Sequence, residues 1–559
     1  MTDDVNSLAA EYFEYLLTVW PTWGHLMGNY EHADLFDDVS KAGEDAEIAA
    51  RRDVAARARA IPDIGLSDQD AITREMLVFD AERNADLLEA RLDESTVNPI
   101  FGPAAVLPVR MPKLTIPNAN VAEAMIAKVH GMATHFRDLG ERHREGLARN
   151  RPALAFAVDD TIQQIDDWLK IPIESDPLLS TAEPQGVADR DAWKARLQDA
   201  IATDVRPGMA TYRDVLRDEI RPAARPDDHA GLVWLPDGAD AYNRTIAYHT
   251  TLPLTAQEIH DIGLHQIEKL ADEYRELGPE VVGSSDLDTI FARLRDDSSL
   301  HFAPDEGADI VQASKVAMAK ASAAMGDWFG ILPKAGCDVE EVKSGAIAYY
   351  FPPAKDGSRG GVFFMNTADP TGWGRYQIES TAYHEGIPGH HLQLAISTEL
   401  TGIPEFRKRA FIAAYGEGWG LYTERLADEM GLYSTPLDRM GMLSADSMRA
   451  CRLVVDTGMH ALGWSRQQAI DYMLANSPMR ASQVVPEIDR YAVTPGQALA
   501  YMIGRLEIQR LRREAEERLG DRFEIKAFHD AVLSSGLLPL PVLEQVVDRW
   551  VDSVAAVPA

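Results

Sequence analysis

Three histidines and a glutamate stand within eight positions of a segment that also holds a proline and two glycines. The segment reads HEGIPGHH, and its chemically interesting members are His384, Glu385, His390 and His391. Imidazole nitrogens are common zinc ligands, and a neighbouring carboxylate serves as a general base in hydrolysis. Since the chain has only 15 histidines among 559 residues, this cluster is the first candidate for chemistry.

The spacing of the cluster differs from that of the usual zinc-binding helix. In His-Glu-x-x-His two imidazoles four residues apart share one helix face, but the residue four positions after His384 is Pro388. A proline inside a helix removes a hydrogen bond and costs about 3 kcal/mol, so an unbroken helix is disfavoured here. If residues 386–389 bulge out of the helix, His390 falls where the usual second ligand would stand. His391 remains the alternative ligand.

A third protein ligand is expected from a neighbouring helix, and Glu417 is the candidate. The length of chain from His390 to Glu417 is about what two helices of three turns and a short loop require, so an antiparallel pair of helices would return Glu417 to the histidines. Gly416, Gly418 and Gly420 surround it. Glycines are tolerated in a helix where a neighbouring backbone or a substrate comes close.

Most of the chain has the pattern of amphipathic helices, which would position these residues. Apolar residues recur at three-and-four spacing in 43–60, 68–93, 121–149 and 189–221, and helices are expected again over 376–402, 405–430, 439–461, 466–476 and 496–518. One region, 341–367, differs, because its runs AIAYYF and GVFFMN flank a turn cluster of Pro, Lys, Asp, Gly and Ser. That pattern predicts a β-hairpin just before the histidine cluster.

The Pro- and Asp-rich stretch 222–229 suggests a soft boundary near residue 225. We expect an N-terminal helical lobe over 1–225. A catalytic helical lobe over 226–559 would carry the small sheet and the candidate zinc ligands. The two lobes either remain distinct or form one continuous structural unit.

Composition excludes several classes of function. The formal net charge is −33, from 55 Lys and Arg against 88 Asp and Glu, and it would repel nucleic acid and anionic membranes. Two cysteines, Cys337 and Cys451, are too few for a disulfide framework and indicate a reducing compartment. The start of the chain, MTDDVNSLAAEYFEYLLTVW, is acidic where a secretory signal would be basic. We expect a soluble cytoplasmic protein.

Four motifs in order resemble the bacterial family called domain of unknown function 885. They are YHEGIPGHHLQ (383–393), EGWGLYTE (417–424), RLVVDTGMHALGWSRQQAI (452–470) and RYAVTPGQALAYMIG (490–504). The resemblance implies a zincin-like metallopeptidase of the gluzincin type. It also implies a mainly α, elongated two-lobed helical fold, similar to the peptidases of the thimet oligopeptidase, angiotensin-converting enzyme and carboxypeptidase Taq type, with a small β-sheet next to the metal-binding helix. Zinc in such relatives is held by two histidines and a glutamate, and the second histidine follows a glycine, which favours His390.

These observations predict a zinc-dependent peptidase. Zn²⁺ held by His384, His390 and Glu417 would activate water, and Glu385 would take the proton and deliver it to the leaving amine. The candidates for stabilising the developing oxyanion are the three downstream residues Tyr491, Tyr501 and His460.

Substrate contacts are predicted from arginines and from the sheet. Arg480, Arg490 and Arg505 are candidates for binding a substrate carboxylate through paired hydrogen bonds. The strand 361–366, which contains Phe364, either adds an extended peptide as a further strand or is ordinary core. We expect short peptides as substrates, with the protein acting as a monomer or a homodimer.

Two other functions fit the same residues. One is a zinc hydrolase of a non-peptide amide or ester, and the other is a non-catalytic helical binding protein. Glu385 argues against the second, because a closed structural metal site has no use for a carboxylate beside the ion.

Overall fold

Helices dominate the structure. The computed structural model describes residues 4–354, 357, 359–410 and 412–556, and among these the strands are confined to one small sheet. The prediction of a mainly α fold with a small sheet is therefore confirmed. No helix in the described part of the chain combines the length and the apolar composition needed to cross a membrane.

The first half of the chain forms ten helices within its described residues. They are α1 (Val5–Val19), α2 (Pro21–Leu26), α3 (Lys41–Ala60), α4 (Asp68–Glu89), α5 (Pro103–Arg110), α6 (Ala119–Ala148), α7 (Ala155–Lys170), α8 (Arg190–Ala200), α9 (Arg206–Val215) and α10 (Gly238–Thr250). Side chains of Ser40, Asn118 and Asp189 accept backbone N–H bonds at the starts of α3, α6 and α8. These caps satisfy donors that the helix itself leaves unpaired, so each helix begins where the sequence supplies a capping oxygen.

The second half continues with helices on either side of the sheet. They are α11 (Ala256–Val281), α12 (Leu287–Asp296), α13 (Gly307–Trp328), α14 (Ile378–Glu385), α15 (His390–Glu399), α16 (Glu405–Arg409), α17 (Ala413–Glu429), α18 (Pro436–His460), α19 (Arg466–Ala475), α20 (Ala481–Val493), α21 (Ala500–Leu519), α22 (Ile525–Leu533) and α23 (Leu540–Ala556). The predicted helix over 376–402 is divided into α14 and α15, and the one over 405–430 into α16 and α17.

The chain divides into two compact units, which do not follow one simple cut. The first unit comprises the residues up to Pro62, Leu77–Arg244 and Met459–Gln467, and the second comprises Asp63–Met76, Thr245–Gly458 and the residues from Gln468 onward. The core of the first unit lies where α6 packs on α8 and α9, with Phe136, Trp193 and Met209 buried there. The chain passes to the second unit after Arg244, whereas the sequence suggested a joint near residue 225.

The sheet has three strands in the order β1 (Cys337–Val342), β3 (Gly361–Asn366), β2 (Ala348–Phe351). β2 and β3 are antiparallel, which confirms the predicted hairpin, and β1 is an additional strand parallel to β3. Residues 355, 356 and 358 of the predicted turn lie outside the described residues. Because β3 is hydrogen-bonded on both sides, the idea that a peptide adds to this strand is wrong; the edges of the sheet are β1 and β2.

Helix α17 is packed closely along α21 in the second unit. A Cβ atom on Gly418 would lie 2.5 Å from the carbonyl carbon of Gly504, and one on Gly504 would collide with the carbonyl oxygen of Ala414. The two glycines therefore let the helix backbones approach closely. This contact fixes the position of α17, which carries the candidate ligand Glu417.

Candidate metal centre

The loop 386–389 interrupts the helix that carries the histidines. Helix α14 ends at Glu385 and α15 begins at His390, and the loop contains a cis Ile387–Pro388 peptide bond. A Cβ atom on Gly389 would lie 1.9 Å from the carbonyl oxygen of His384, so this close approach requires glycine. The interruption predicted from Pro388 is confirmed.

The loop brings His390 to the same point as His384 and Glu417. Nε2 of His384 lies 3.6 Å from Oε2 of Glu417, and Nε2 of His390 lies 3.5 Å from the same oxygen. One ligand atom of each residue lies within 4.8 Å of the others. Tetrahedral ligands at the usual zinc distances stand about 3.3–3.6 Å apart, so the donor types and their spacing fit a zinc ion.

Helix α17 makes room for the imidazole of His384. A Cβ atom on Gly420 would lie 2.7 Å from Cε1 and 2.8 Å from Nε2 of that ring. The expected reason for glycines around Glu417 is therefore found at Gly420 and at Gly418, the first facing a side chain and the second facing backbone.

The pKa values of two candidate ligands are shifted by their mutual contacts. Burial lowers the pKa of His384, but hydrogen bonds and charge from Glu417 and Glu424 outweigh it and raise this pKa to about 9. Burial raises the pKa of Glu417, yet the hydrogen bonds and charges of His384 and His390 outweigh it and hold the pKa well below its usual range. A metal ion held by the same ligands would take the place of the proton, because metal binding to such ligands is linked to proton release.

Glu424 completes the surroundings of His384 and is the functional residue that the sequence reading missed. Its Oε1 accepts a hydrogen bond of 2.8 Å from Nδ1 of His384, and its Oε2 accepts one of 2.5 Å from the Ser380 hydroxyl. With Nδ1 protonated, the lone pair of Nε2 faces Glu417, as in the carboxylate–histidine–metal arrangements of zinc proteins. The sequence contains a pattern that could have identified Glu424, because Glu417 and Glu424 are two helical turns apart in EGWGLYTE and so lie on one helix face.

His391 lies apart from this cluster. Its Nδ1 accepts a hydrogen bond of 2.9 Å from the Tyr350 hydroxyl, and its Nε2 donates one of 3.1 Å to the carbonyl of Ala335. Both ring nitrogens are thus used in holding α15 against the sheet region. His391 also borders a cavity of about 570 Å³ between α13 and β1. The geometry favours His390 as the second ligand, although the ligand assignment itself stays a prediction.

Glu385 keeps its carboxylate available. Its side chain is half-buried and directly follows His384, whose pKa its charge helps to raise. Within the described ranges the carboxylate has no hydrogen bond or ion pair to another side chain. A carboxylate beside a metal site and without a structural partner suits the role of general base.

The two predicted tyrosines occupy different positions relative to the cluster. Burial and the negative charge of Glu417 raise the pKa of Tyr501, so this half-buried hydroxyl stays protonated. Tyr491 is fully buried, donates a hydrogen bond to Glu487 and accepts one of 2.7 Å from Nε of Arg452. Tyr501 is therefore better placed than Tyr491 to donate to a bound substrate.

A model of a family of bacterial proteins of unknown function, DUF885, matches residues 21–547. The chain belongs to this family. No curated protein is significantly similar to it in sequence.

Two solved structures share the fold of this DUF885 protein. A candidate lipoprotein from Colwellia psychrerythraea is 24% identical with a TM-score of 0.90, and the match covers 98% of this chain and 99% of that one. A candidate lipoprotein of unknown function from Shewanella oneidensis is 16% identical with a TM-score of 0.77, covering 97% and 99%. At these identities the likeness shows the fold alone.

The remaining predicted residues of this DUF885 protein have structural partners. Arg505 is buried, with Nη1 2.5 Å from Asp446. Arg480 donates to the carbonyls of Arg295 and Thr371. Arg505 and Arg480 therefore use hydrogen-bond donors in contacts within the protein, and fewer donors remain for a substrate carboxylate.

Arg490, Phe364 and His460 also have defined surroundings. Arg490 donates to Gln497 and to Glu487, at 2.6 and 3.0 Å. Phe364 is half-buried and stacks on Tyr349 with ring centroids 4.9 Å apart.

His460 ends α18 and belongs to the first unit. It is fully buried, and its Nδ1 accepts a 3.1 Å hydrogen bond from the backbone N–H of Leu232. Nothing in this geometry adds support to its predicted catalytic role, which stays a prediction.

Proposed function

We propose that this chain is a zinc-dependent hydrolase that cleaves amide bonds of short peptides. The observation that carries the proposal is the convergence of one ligand atom each from His384, His390 and Glu417, with Glu385 beside them. Structural zinc sites are usually closed by four protein ligands, whereas three protein ligands leave a position open for water or substrate. The zincin-like, gluzincin-type assignment rests on this ligand set and belongs to the same proposal.

Each residue of the site has a distinct task. When bound, Zn²⁺ would polarise a water molecule and the substrate carbonyl. Glu385 accepts the proton of the attacking water and returns it to the nitrogen of the leaving amine. Glu424 holds the ring of His384 in one tautomer and orientation. Peptide bonds are the proposed substrate because a general base and a positioned proton donor are both needed to expel an amine.

Tyr501 donates the hydrogen bond that stabilises the developing oxyanion. Burial and the charge of Glu417 raise the pKa of its hydroxyl, which keeps it protonated and able to donate. In this scheme Tyr491 acts through its contact with Arg452 rather than on the substrate, and His460 remains a weaker candidate.

We propose that the protein acts in the cytoplasm, as a monomer or a homodimer, without nucleic acid or a membrane as partner. Its two cysteines are free, and Cys451 is buried, as suits a reducing compartment. The names of the two similar structures raise a lipoprotein as the alternative, and fractionation of cells producing the full-length protein distinguishes the two locations.

The decisive experiment combines metal analysis with peptide digestion. We expect purified protein to hold about one zinc per chain and to cleave members of a short-peptide library, with cleavage abolished by a chelator and restored by zinc. Glu385→Gln should retain zinc while hydrolysis falls by about 10²–10⁴-fold, whereas the control Glu379→Gln on the same helix should keep its activity.

Three outcomes would contradict the proposal in different ways. Absence of bound zinc at micromolar free metal removes the metal site. Turnover of esters or other amides, but of no peptide, favours the broader hydrolase. Zinc binding with identical behaviour of the wild type and Glu385→Gln in every assay favours a binding protein.

A further inference from the structure

Arg452 on α18 is a buried arginine that sequence reading did not single out. Only 5% of its surface is exposed. Its Nε donates to the Tyr491 hydroxyl at 2.7 Å, its Nη2 donates to Glu487 at 2.8 Å, and its guanidinium lies over the ring of Tyr501, 4.4 Å from the centroid. Three neighbours thus hold the guanidinium in one orientation.

The third nitrogen of this guanidinium is different. Nη1 of Arg452 is buried and has no hydrogen-bond partner among the described residues. A buried donor of a charged group without a partner is costly, and proteins usually satisfy such groups. An arginine whose other two nitrogens are fixed is therefore prepared to receive an acceptor at Nη1.

Arg452 shares its acidic hydrogen-bond partner with a second arginine. Glu487 is shared, because its Oε2 accepts hydrogen bonds from Arg452, Arg490 and Tyr491. Gln497, the other partner of Arg490, is neutral. Two guanidinium groups thus share the carboxylate of Glu487, so Arg452 has no acidic hydrogen-bond partner of its own among the described residues.

The position of this cluster links it to the candidate metal centre. Tyr501 lies under the guanidinium of Arg452 and stands on α21 one turn before Gly504, whose backbone contacts Gly418, the residue after Glu417. Arg452 therefore contacts the same helix that packs beside Glu417, which places Nη1 in the neighbourhood of the candidate ligands.

We infer that Nη1 of Arg452 binds a carboxylate of the substrate, so that the substrates are peptides with a free carboxylate close to the bond that is cleaved. Nη1 is suited to this task because it is a donor of a charged group, and charge-assisted hydrogen bonds to a carboxylate are roughly twice as strong as neutral ones. The carboxylate comes from the C-terminus or from an acidic side chain. The inference rests on the proposed function for the peptide nature of the substrate and extends it to a substrate class.

Calorimetric binding of three probes tests the inference without requiring turnover. The probes are acetyl-Ala-Ala, its C-terminal amide, and acetyl-Ala-Asp-amide, each titrated into the chelator-treated protein and into zinc-loaded Glu385→Gln. We expect the free acid to bind about 10- to 100-fold more tightly than the plain amide in both forms. Tight binding of acetyl-Ala-Asp-amide as well would show that the site accepts a carboxylate from a side chain. Weak binding of this probe would show that the site accepts only the C-terminal carboxylate.

Matched variants assign the preference to Arg452. In Arg452→Gln the ratio of acid to amide affinity should fall to within about 2-fold of unity, since the charged donor is gone. Arg439→Gln removes the same charge from the same helix, but Arg439 pairs with Asp428 at the surface, and its ratio should equal that of the wild type. Arg452→Lys keeps the charge and should lose at least about 5-fold of the preference, because one ammonium group cannot replace the contacts with Tyr491 and Glu487 and also donate to the substrate.

The outcomes separate this inference from the proposed function. Equal binding of acid and amide by the wild type, or an unchanged preference in a folded Arg452→Gln or Arg452→Lys protein, overturns the carboxylate site even if peptides are cleaved. A preference lost on changing Arg452 supports the site even if no peptide is cleaved, in which case only the peptidase proposal fails. Thermal unfolding and zinc content of each variant verify that it is folded.

Discussion

Two carboxylates in the second unit, one half-buried and one fully buried, are both held ionised by cationic neighbours, yet they are suited to opposite purposes. Glu417 on α17 faces the imidazoles of His384 and His390 at 3.5–3.6 Å. Asp446 on α18 is fully buried and accepts hydrogen bonds of 2.5 Å from both Arg425 and Arg505. In each place the cationic partners outweigh the effect of burial and lower the pKa of the carboxyl group.

The difference lies in whether the cationic partners can give up their protons. An imidazolium loses its proton readily and then offers a lone pair to a metal, whereas a guanidinium stays charged and has no lone pair to offer. We therefore expect the carboxylate between histidines to share its site with either a proton or a metal ion, and the carboxylate between arginines to stabilise the fold. Three substitutions test this distinction, and a fourth tests a buried histidine.

The largest expected effect follows from removing Glu417. Glu417→Gln should weaken zinc binding by more than about 100-fold, beyond the 10- to 100-fold seen for outer-shell residues, because a charged ligand is lost. Competition with a chromophoric chelator measures the affinity. His391→Gln is the matched control, since His391 is bound to Tyr350 and Ala335, and its affinity should stay within about 3-fold of the wild type. Unaltered zinc affinity in Glu417→Gln would falsify the proposed ligand set.

The matching change at the other carboxylate should affect stability instead. Asp446→Asn leaves the guanidiniums of Arg425 and Arg505 without their shared anion and should lower the free energy of unfolding by about 3–5 kcal/mol. Urea denaturation measures this loss. Asp428→Asn, which removes the surface partner of Arg439, should cost no more than about 1 kcal/mol. If both variants unfold at the same urea concentration, Asp446 is not the structural anchor described here.

A smaller effect is expected one contact away from the candidate metal. Glu424→Gln removes the charged acceptor of the His384 Nδ1–H bond and should weaken zinc binding by about 10- to 100-fold. Glu429→Gln, on the same helix but paired with Arg512 at the surface, is the control and should bind zinc normally. Equal affinities of the two variants would show that the contact between Glu424 and His384 does not tune the site.

The last prediction concerns a histidine kept neutral by the fold, whose substitution should have little effect near neutral pH. Burial lowers the pKa of His529 to about 3, while its ring is held between the Tyr422 hydroxyl and the Trp328 carbonyl. Between about pH 6.5 and 3 the unfolded chain binds a proton that the folded chain does not, so stability falls as the pH falls, by at most about 1.4 kcal/mol per unit from this group. In His529→Gln the dependence of unfolding free energy on pH should be correspondingly shallower over that interval. Identical slopes would show that His529 is protonated in the folded protein.

Much of the fold follows from local patterns. Amphipathic spacing is sufficient to predict the long helices, because burying one apolar face determines which residues must recur. The hairpin of β2 and β3 is equally local. Strand β1 is not, since CDVEEV alternates weakly and becomes a strand through parallel pairing with β3, a partner far along the chain. Because β1 could not be predicted, the sequence also could not show that β3 has a neighbouring strand on both sides and no free edge for a peptide.

Local patterns likewise account for only part of the candidate site. The break at Pro388 and the grouping of His384, Glu385 and His390 are consequences of local covalent geometry. Only the structure distinguishes His390 from His391. Tyr350 and Ala335 form hydrogen bonds with both ring nitrogens of His391. Arg505 was one candidate for binding a substrate carboxylate, and its hydrogen bond to Asp446, a residue 59 positions earlier, could not be predicted from the sequence.

By itself the sequence determined the helical class, the interruption of the histidine helix and the types of donor atoms available, because these depend on side-chain chemistry and on contacts within a few residues. Only the tertiary structure decided which donors meet. It brought Glu424 to His384, separated His391 from His390, and left Nη1 of Arg452 as a buried donor. Partners of charged groups come from helices distant in sequence, and the free energy of such pairs depends on distances and burial that no local pattern encodes.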